Sequence, residues 1–182
     1  MKQQTQNRGH GQLSRIIMFE TSSLINMAKG LLESKCDMQD LAKRLERLVS
    51  EGKIAVVCTH LQIDEIKHED EKRIVKDLFE RLRVELIPTK VAVYEVSKYD
   101  VSRYGSELEN QLYKKLRTDN SKEGWTKDLI QALTSVEVDI LVTDDSGVRH
   151  AIEQVGRQFG EQMRCEAYGL DRFAEMLEGL IQ

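Results

Sequence analysis

Residues Trp125–Val148 read WTKDLIQALTSVEVDILVTDDSGV. From Asp128 onward, Leu129, Ile130, Leu133 and Val136 fall at helical spacing on one face. Asp139-Ile140-Leu141-Val142-Thr143 then reads as a short strand, too short for a helix and β-branched at three of its five positions. Such a run suits a parallel strand buried on both faces. Asp144, Asp145, Ser146 and Gly147 follow at once. Two carboxylates therefore sit just beyond the carboxyl end of a buried strand, where open α/β sheets bind ligands. A charged pair there points to chemistry rather than packing, and other acids on the same edge become the question.

Upstream, Arg15–Phe19 (RIIMF) is a first short strand ending at Glu20, and Thr21, Ser22 and Ser23 are natural helix N-caps. LINMAKGLL then carries an amphipathic pattern. A second helix runs from about Met38 to Ser50, with Leu41, Leu45 and Leu48 on one face and Gly52 as its stop. Lys53–Cys58 is the second strand. Thr59-His60-Leu61-Gln62 after it is a capping box that starts another helix, placing Glu65 in its first two turns. That helix continues with Ile74, Val75, Leu78, Phe79 and Leu82 facing inward. Seven acids and six bases between Asp64 and Arg83 make the rest a solvated face of paired charges.

Val84–Ile87 is a third strand, closed by Pro88. The stretch 89–122 does not decide between strand and helix, except that Leu108, Leu112 and Leu116 argue for a helix after Gly105. Beyond the aspartate pair, Val148–Gln158 is helical, Arg164–Tyr168 a last strand and Leu170–Leu180 a closing helix. The alternation predicts a three-layer α/β/α fold with a mostly parallel central sheet of about five strands. Residues 1–14, with only Met1 and Leu13 as large apolar side chains, predict a disordered tail, and 15–182 a single domain.

Composition narrows the function classes. At 182 residues and 40% hydrophobic content, with one proline, the chain is long enough to bury a core. No apolar run exceeds about five residues, far short of a bilayer span, and the start lacks the apolar stretch of a secretory signal. Three widely spaced cysteines argue for a reducing compartment, and the cytoplasm is the expected location. The net charge of −4 gives no global nucleic-acid signature. His60, His68 and His150 lack a ligand spacing and read as surface or packing residues.

The carboxyl ends of parallel strands point one way, so Glu20, Glu65 and the Asp144/Asp145 pair share one edge. Asp128 joins them if its helix starts there. Acids from four distant segments in one pocket repel one another unless cations or protons intervene. Mg²⁺ or Mn²⁺ is the natural occupant, able to activate water on a phosphodiester.

Bland readings stand beside these. Asp-Asp-Ser-Gly is also turn and N-cap chemistry. Asp128 also serves as a dipole cap, and Glu65 as one more surface acid. Glu20 is harder to explain structurally, because a carboxylate against a core needs a partner. Ser22 and Thr143 either orient ligand carboxylates or simply cap. Lys114, Lys115, Arg117, Lys122 and Lys127 either hold RNA phosphates or form a solvated face. Trp125 either stacks a base or anchors its helix.

Four segments carry a family resemblance: Ile16–Leu24 (IIMFETSSL), Thr59–Ile66 (THLQIDEI), Lys127–Ala132 (KDLIQA) and Leu141–Asp145 (LVTDD). In this order the chain resembles a PIN-domain ribonuclease over roughly Arg15–Tyr168. The resemblance implies a metal-dependent endoribonuclease using Mg²⁺ or Mn²⁺. Glu20, Glu65, Asp128 and Asp145 would hold the ions, with Asp144 as auxiliary. It also implies RNA as partner, toxin-type or RNA-processing roles, and often a homodimer or an inhibitory antitoxin-like protein. The family usually has Asp where this chain has Glu20, about one methylene longer. The alternative is thus a catalytically weakened PIN-like module that binds RNA or a protein partner. A phosphotransfer domain with an aspartate nucleophile expects Asp after the first strand, and Glu20 argues against it.

Overall fold

The computed structural model describes residues 14–90, 107–119, 125–160, 163–177 and 179. Expectations for the first 13 residues, for 91–106 and for Lys122 lie outside the described residues, as do the side chains of Trp125 and Thr126.

Five parallel strands form one sheet: β1 (Arg15–Phe19), β2 (Ile54–Cys58), β3 (Glu85–Leu86), β4 (Ile140–Val142) and β5 (Glu166–Tyr168), in the order β3-β2-β1-β4-β5. Helices flank it: α1 (Thr21–Leu32), α2 (Cys36–Ser50), α3 (His60–Asp64), α4 (Glu69–Leu82), α5 (Glu107–Asp119), α6 (Trp125–Thr134), α7 (Ser146–Phe159) and α8 (Leu170–Met176). This is the three-layer, all-parallel α/β/α arrangement that the alternation predicts. Among the described residues no helix is long and apolar enough to cross a membrane.

Period-two alternation along β1 divides the core. Ile17 and Phe19 face α1, α2, α4 and α8, together with Ile54, Val56, Ile140 and Val142. Met18, Val57 and Leu141 face the other way, onto α5, α6 and α7 through Leu112, Leu129, Leu133, Val148 and Val155. Both faces are therefore covered, which is why the central strands β1, β2 and β4 read as mostly apolar runs, while the edge strands β3 and β5 each begin with an exposed glutamate. Phe19 meets Phe173 edge-on, ring centroids 5.6 Å apart, which joins β1 to α8.

Register fixes the edge that matters. Ile17 pairs with Ile140 and Phe19 with Val142, and the Glu20 N–H donates to the Val142 carbonyl at 2.8 Å. The chain winds outward in opposite directions from β1 and β4, so the order reverses between them. A crevice opens at such a switch point, outside the carboxyl ends of the strands.

Several boundaries differ from the sequence reading. α1 begins at Thr21 because Glu20 itself is the N-cap, accepting from the Ser22 N–H, so the Thr-Ser-Ser run lies inside the first turn. The Thr59–Gln62 capping box is present, but the helix it starts is one turn long. Glu65 is the C-cap of α3, and α4 restarts at Glu69. The break turns Ile66 into the core while Glu65 stays half-buried at the edge. β3 shrinks to two residues, although the Ile87 N–H still reaches the Cys58 carbonyl at 2.8 Å. α7 starts two residues early, at Ser146, capped by Asp145.

Candidate functional site

Glu20 and Asp145 leave adjacent strands and each caps the helix that follows, so backbone geometry fixes their place. Glu20 is 4% exposed. Its Oε2 accepts from the Ser22 N–H at 2.9 Å, from the Ser22 hydroxyl, and from the Thr143 hydroxyl at 3.3 Å. Burial holds its carboxyl above the usual range, with the charges of Asp145 and Glu65 adding to the shift and the Ser22 hydrogen bonds opposing it. Asp145 Oδ1 accepts from the N–H groups of Gly147 (2.6 Å) and Val148 (3.3 Å). Its own N–H donates to Thr143 Oγ1 at 3.1 Å. Ser22 and Thr143 thus do orient an acid, and Thr143 links Glu20 to Asp145.

Asp128 projects from the first turn of α6. Burial, then the charges of Asp145, Glu20 and Glu65, push it up to about 6, with Lys127 opposing. Three acids acting on a fourth place all of them in one field, although they come from four separate segments of the chain. Gly147 lies between two of them: a β-carbon there would stand 2.5 Å from Asp128 Oδ2 and 3.0 Å from Asp145 Oδ1. Glu65 enters through its partners. Its Oε2 accepts from the Thr21 hydroxyl at 2.6 Å, and its Oε1 lies 2.9 Å from the Lys127 ammonium.

Asp144 is placed differently from its expected role as an auxiliary ligand. Oδ1 accepts from the Leu170 N–H at 2.9 Å, and Oδ2 from Asn26 Nδ2 at 2.9 Å and the Ser23 hydroxyl at 3.4 Å. It ties α1, the turn after β4 and the start of α8 together. Neighbouring side chains on extended backbone point to opposite sides, so the acid that caps α7 and the acid that braces α8 cannot both enter the crevice.

The basic residues divide similarly. Lys127 touches the acids. Lys115 instead lines a shallow groove with Gln111, Leu112, Gln158 and Phe159, between α5 and α7. Lys114 and Arg117 are exposed on α5. Sequence reasoning missed Thr21, Gly147 and Arg149, whose Nη1 donates to the Thr143 carbonyl at 3.0 Å. Only Gly147 carried a signal, as the small residue after the turn.

The donor set is carboxylate oxygen throughout, the chemistry that Mg²⁺ and Mn²⁺ take, and the missing β-carbon of Gly147 lets the carboxylates of Asp128 and Asp145 pack against its backbone. Asp128 accepts no hydrogen bond from the described residues, and Glu20 and Asp145 each commit one oxygen to a cap. Glu65 is the member that does not fit, since both of its oxygens are taken. Among the described residues no three acid, histidine or cysteine side chains stand close enough together to hold one ion. Comparison of the chain with models of known protein families, with curated proteins and with solved structures finds no match.

Proposed function

We propose that this protein is a metal-dependent endoribonuclease of PIN-like type, acting on RNA in the cytoplasm. The observation that carries the reading is the shared field of Glu20, Glu65, Asp128 and Asp145 at the crevice between β1 and β4. Crowded carboxylates raise one another's proton affinity, and relief comes from a bound cation. Mg²⁺ or Mn²⁺, when bound, supplies an activated water and neutralises charge on the phosphodiester. Asp128 and Asp145 would hold it through their open oxygens, with Glu20 reaching in from the buried side. Ser22 and Thr143 keep Glu20 from rotating, which matters because a longer side chain has one more torsion to fix. Lys127 and Arg149 flank the acids and are the cations best placed to meet RNA phosphates.

Incubating the protein with single-stranded and stem-loop RNA in Mn²⁺, beside Asp128→Asn, tests the activity. Cleavage by the parent and not by the variant supports it; equal cleavage by both, or none by either, overturns it.

One observation favours a second reading. The Lys127–Glu65 ion pair, together with Glu20 where the family it resembles has Asp, describes a site whose charges are partly balanced from within. Such a module would bind RNA or a protein partner without cleaving. A melting temperature unmoved by millimolar Mn²⁺ would favour it, since a filled site stabilises the fold by linkage.

A further inference from the structure

α5 and α7 are neighbours, and each carries a cationic stretch. Residues 111–117 of α5 and 154–159 of α7 include Lys114, Lys115, Arg117 and Arg157 and no acid, in a chain whose net charge is −4. All four cations are exposed. Of the described acids that flank these stretches, Glu109 is buried against Lys90, Glu107 accepts from Gln111 Nε2 at 3.1 Å, and Glu153 lies one turn back along α7. Between the two helices runs a groove of about 180 Å³. Buried Leu112 forms its floor, and the half-buried ring of Phe159, the last residue of α7, stands in its wall. Gln111, Lys115 and Gln158 are exposed at its rim.

We propose that this groove takes one base of a single-stranded nucleic acid, stacked on the Phe159 ring, with the surrounding cations on the adjoining phosphates. An unpaired base is a flat face with a polar edge, and proteins hold it with an aromatic ring and hydrogen-bonding partners. Phe159 supplies the ring. Gln158 offers an amide donor and acceptor, and Gln111, whose Nε2 is on Glu107, still offers its oxygen. Lys115 reaches the same groove, so base and phosphate are met at one place. A second copy of this chain is a poor occupant, because an isologous contact would set these cations against their own symmetry mates. A partner helix needs a row of apolar anchors, and the groove has only Leu112 and Phe159. The groove is also separate from the acid crevice. Gly147, in the first turn of α7, touches the acids, and Phe159 ends that helix roughly 18 Å away at about 1.5 Å per residue. The inference therefore does not rest on a bound metal.

Fluorescence anisotropy of the full chain with a labelled, unstructured RNA of about 12 nucleotides, at low salt in EDTA, tests this. The parent should bind, with an affinity that falls as salt rises. Phe159→Leu, which keeps an apolar side chain against the core, should weaken binding by about fivefold or more and leave the salt dependence unchanged. Lys115→Gln, on the surface, should weaken binding and reduce the slope of log K against log salt by about 0.7. An abasic strand of the same length should bind the parent more weakly than the RNA does, and should not distinguish Phe159→Leu from the parent. The abasic comparison on the parent stands even where Phe159→Leu loses stability. No binding by the parent, an abasic strand bound as tightly as the RNA, or parental affinity in either variant overturns the inference. Because EDTA withholds divalent ions, RNA that is bound here but never cleaved in Mn²⁺ contradicts the nuclease reading and leaves this inference standing.

Discussion

Asp128 and Gly147 are packed so closely that a β-carbon on the glycine would stand 2.5 Å from Asp128 Oδ2. The contact joins α6 to α7 at the crevice and makes Gly147 part of the acid cluster without contributing a functional group. Gly147→Ala should force Asp128 to rotate. The atom displaced is the end of a side chain, and alanine gains up to about 1 kcal/mol of helix propensity, so stability should change by less than about 1 kcal/mol. The rise in melting temperature on adding Mn²⁺ should fall by more than about half. An unchanged Mn²⁺ response would separate Asp128 from the metal.

Asp128 also predicts a pH dependence. Burial and the neighbouring acids push its carboxyl up to about 6 from an ordinary 3.8. The fold therefore favours the protonated form: this contribution is fully present below the ordinary value and is lost as pH rises through about 6. Asp128 is only partly buried, so solvent screening leaves roughly 1 kcal/mol of the full effect. Between pH 4 and pH 7 the parent should lose about that much more stability than Asp128→Asn, by denaturant titration at each pH. Mn²⁺ at pH 7 should restore it to the parent and not to the variant. Parallel pH profiles would contradict the account.

Asp144 and Asp145 should behave as different kinds of residue despite their adjacency. Asp144→Ala leaves the Leu170 N–H and Asn26 without their acceptor, at a cost of about 1–3 kcal/mol in denaturant unfolding. Its Mn²⁺ affinity should match the parent. Asp145→Ala should lose the α7 cap, about 1 kcal/mol, and the Mn²⁺ response as well. Loss of Mn²⁺ binding in a stable Asp144→Ala would return Asp144 to the ligand set.

Away from the site, Lys90 is 8% exposed and pairs with Glu137 and, at 3.4 Å, with Glu109, while its N–H donates to Thr134 Oγ1 at 3.2 Å. Lys90→Met would remove the buried cation that Glu109 and Glu137 share and should cost about 3 kcal/mol in denaturant unfolding. A loss below about 0.5 kcal/mol would show the triad to be dispensable.

The centre of the sheet was legible because β1, β2 and β4 are runs of mostly apolar residues, and β1 and β4 read almost to the residue. Glu20 and Asp145 were legible as acids because strand ends fix them. What escaped was set by side-chain direction. The sequence favours Asp145 over Asp144 through its place in the Thr-x-Asp turn, but that Asp144 braces the start of α8 and Asn26 shows only once those elements are docked. The break at Glu65 is likewise silent in a sequence whose charges continue smoothly into α4; it is made by Ile66 turning into the core. Lys127 read as one of five clustered cations, and only the tertiary approach of α3 to α6 gives it Glu65 as a partner.

The central claim, that Asp128 and Asp145 at the β1–β4 crevice bind a divalent cation with Glu20 beside it, is tested most directly by anomalous diffraction from crystals soaked in MnCl₂. The account predicts a peak at the crevice, about 2.1 Å from oxygens of Asp128 and Asp145, with Glu20 beside it. Absence of a peak there at millimolar Mn²⁺, with Lys127 still on Glu65, would contradict it.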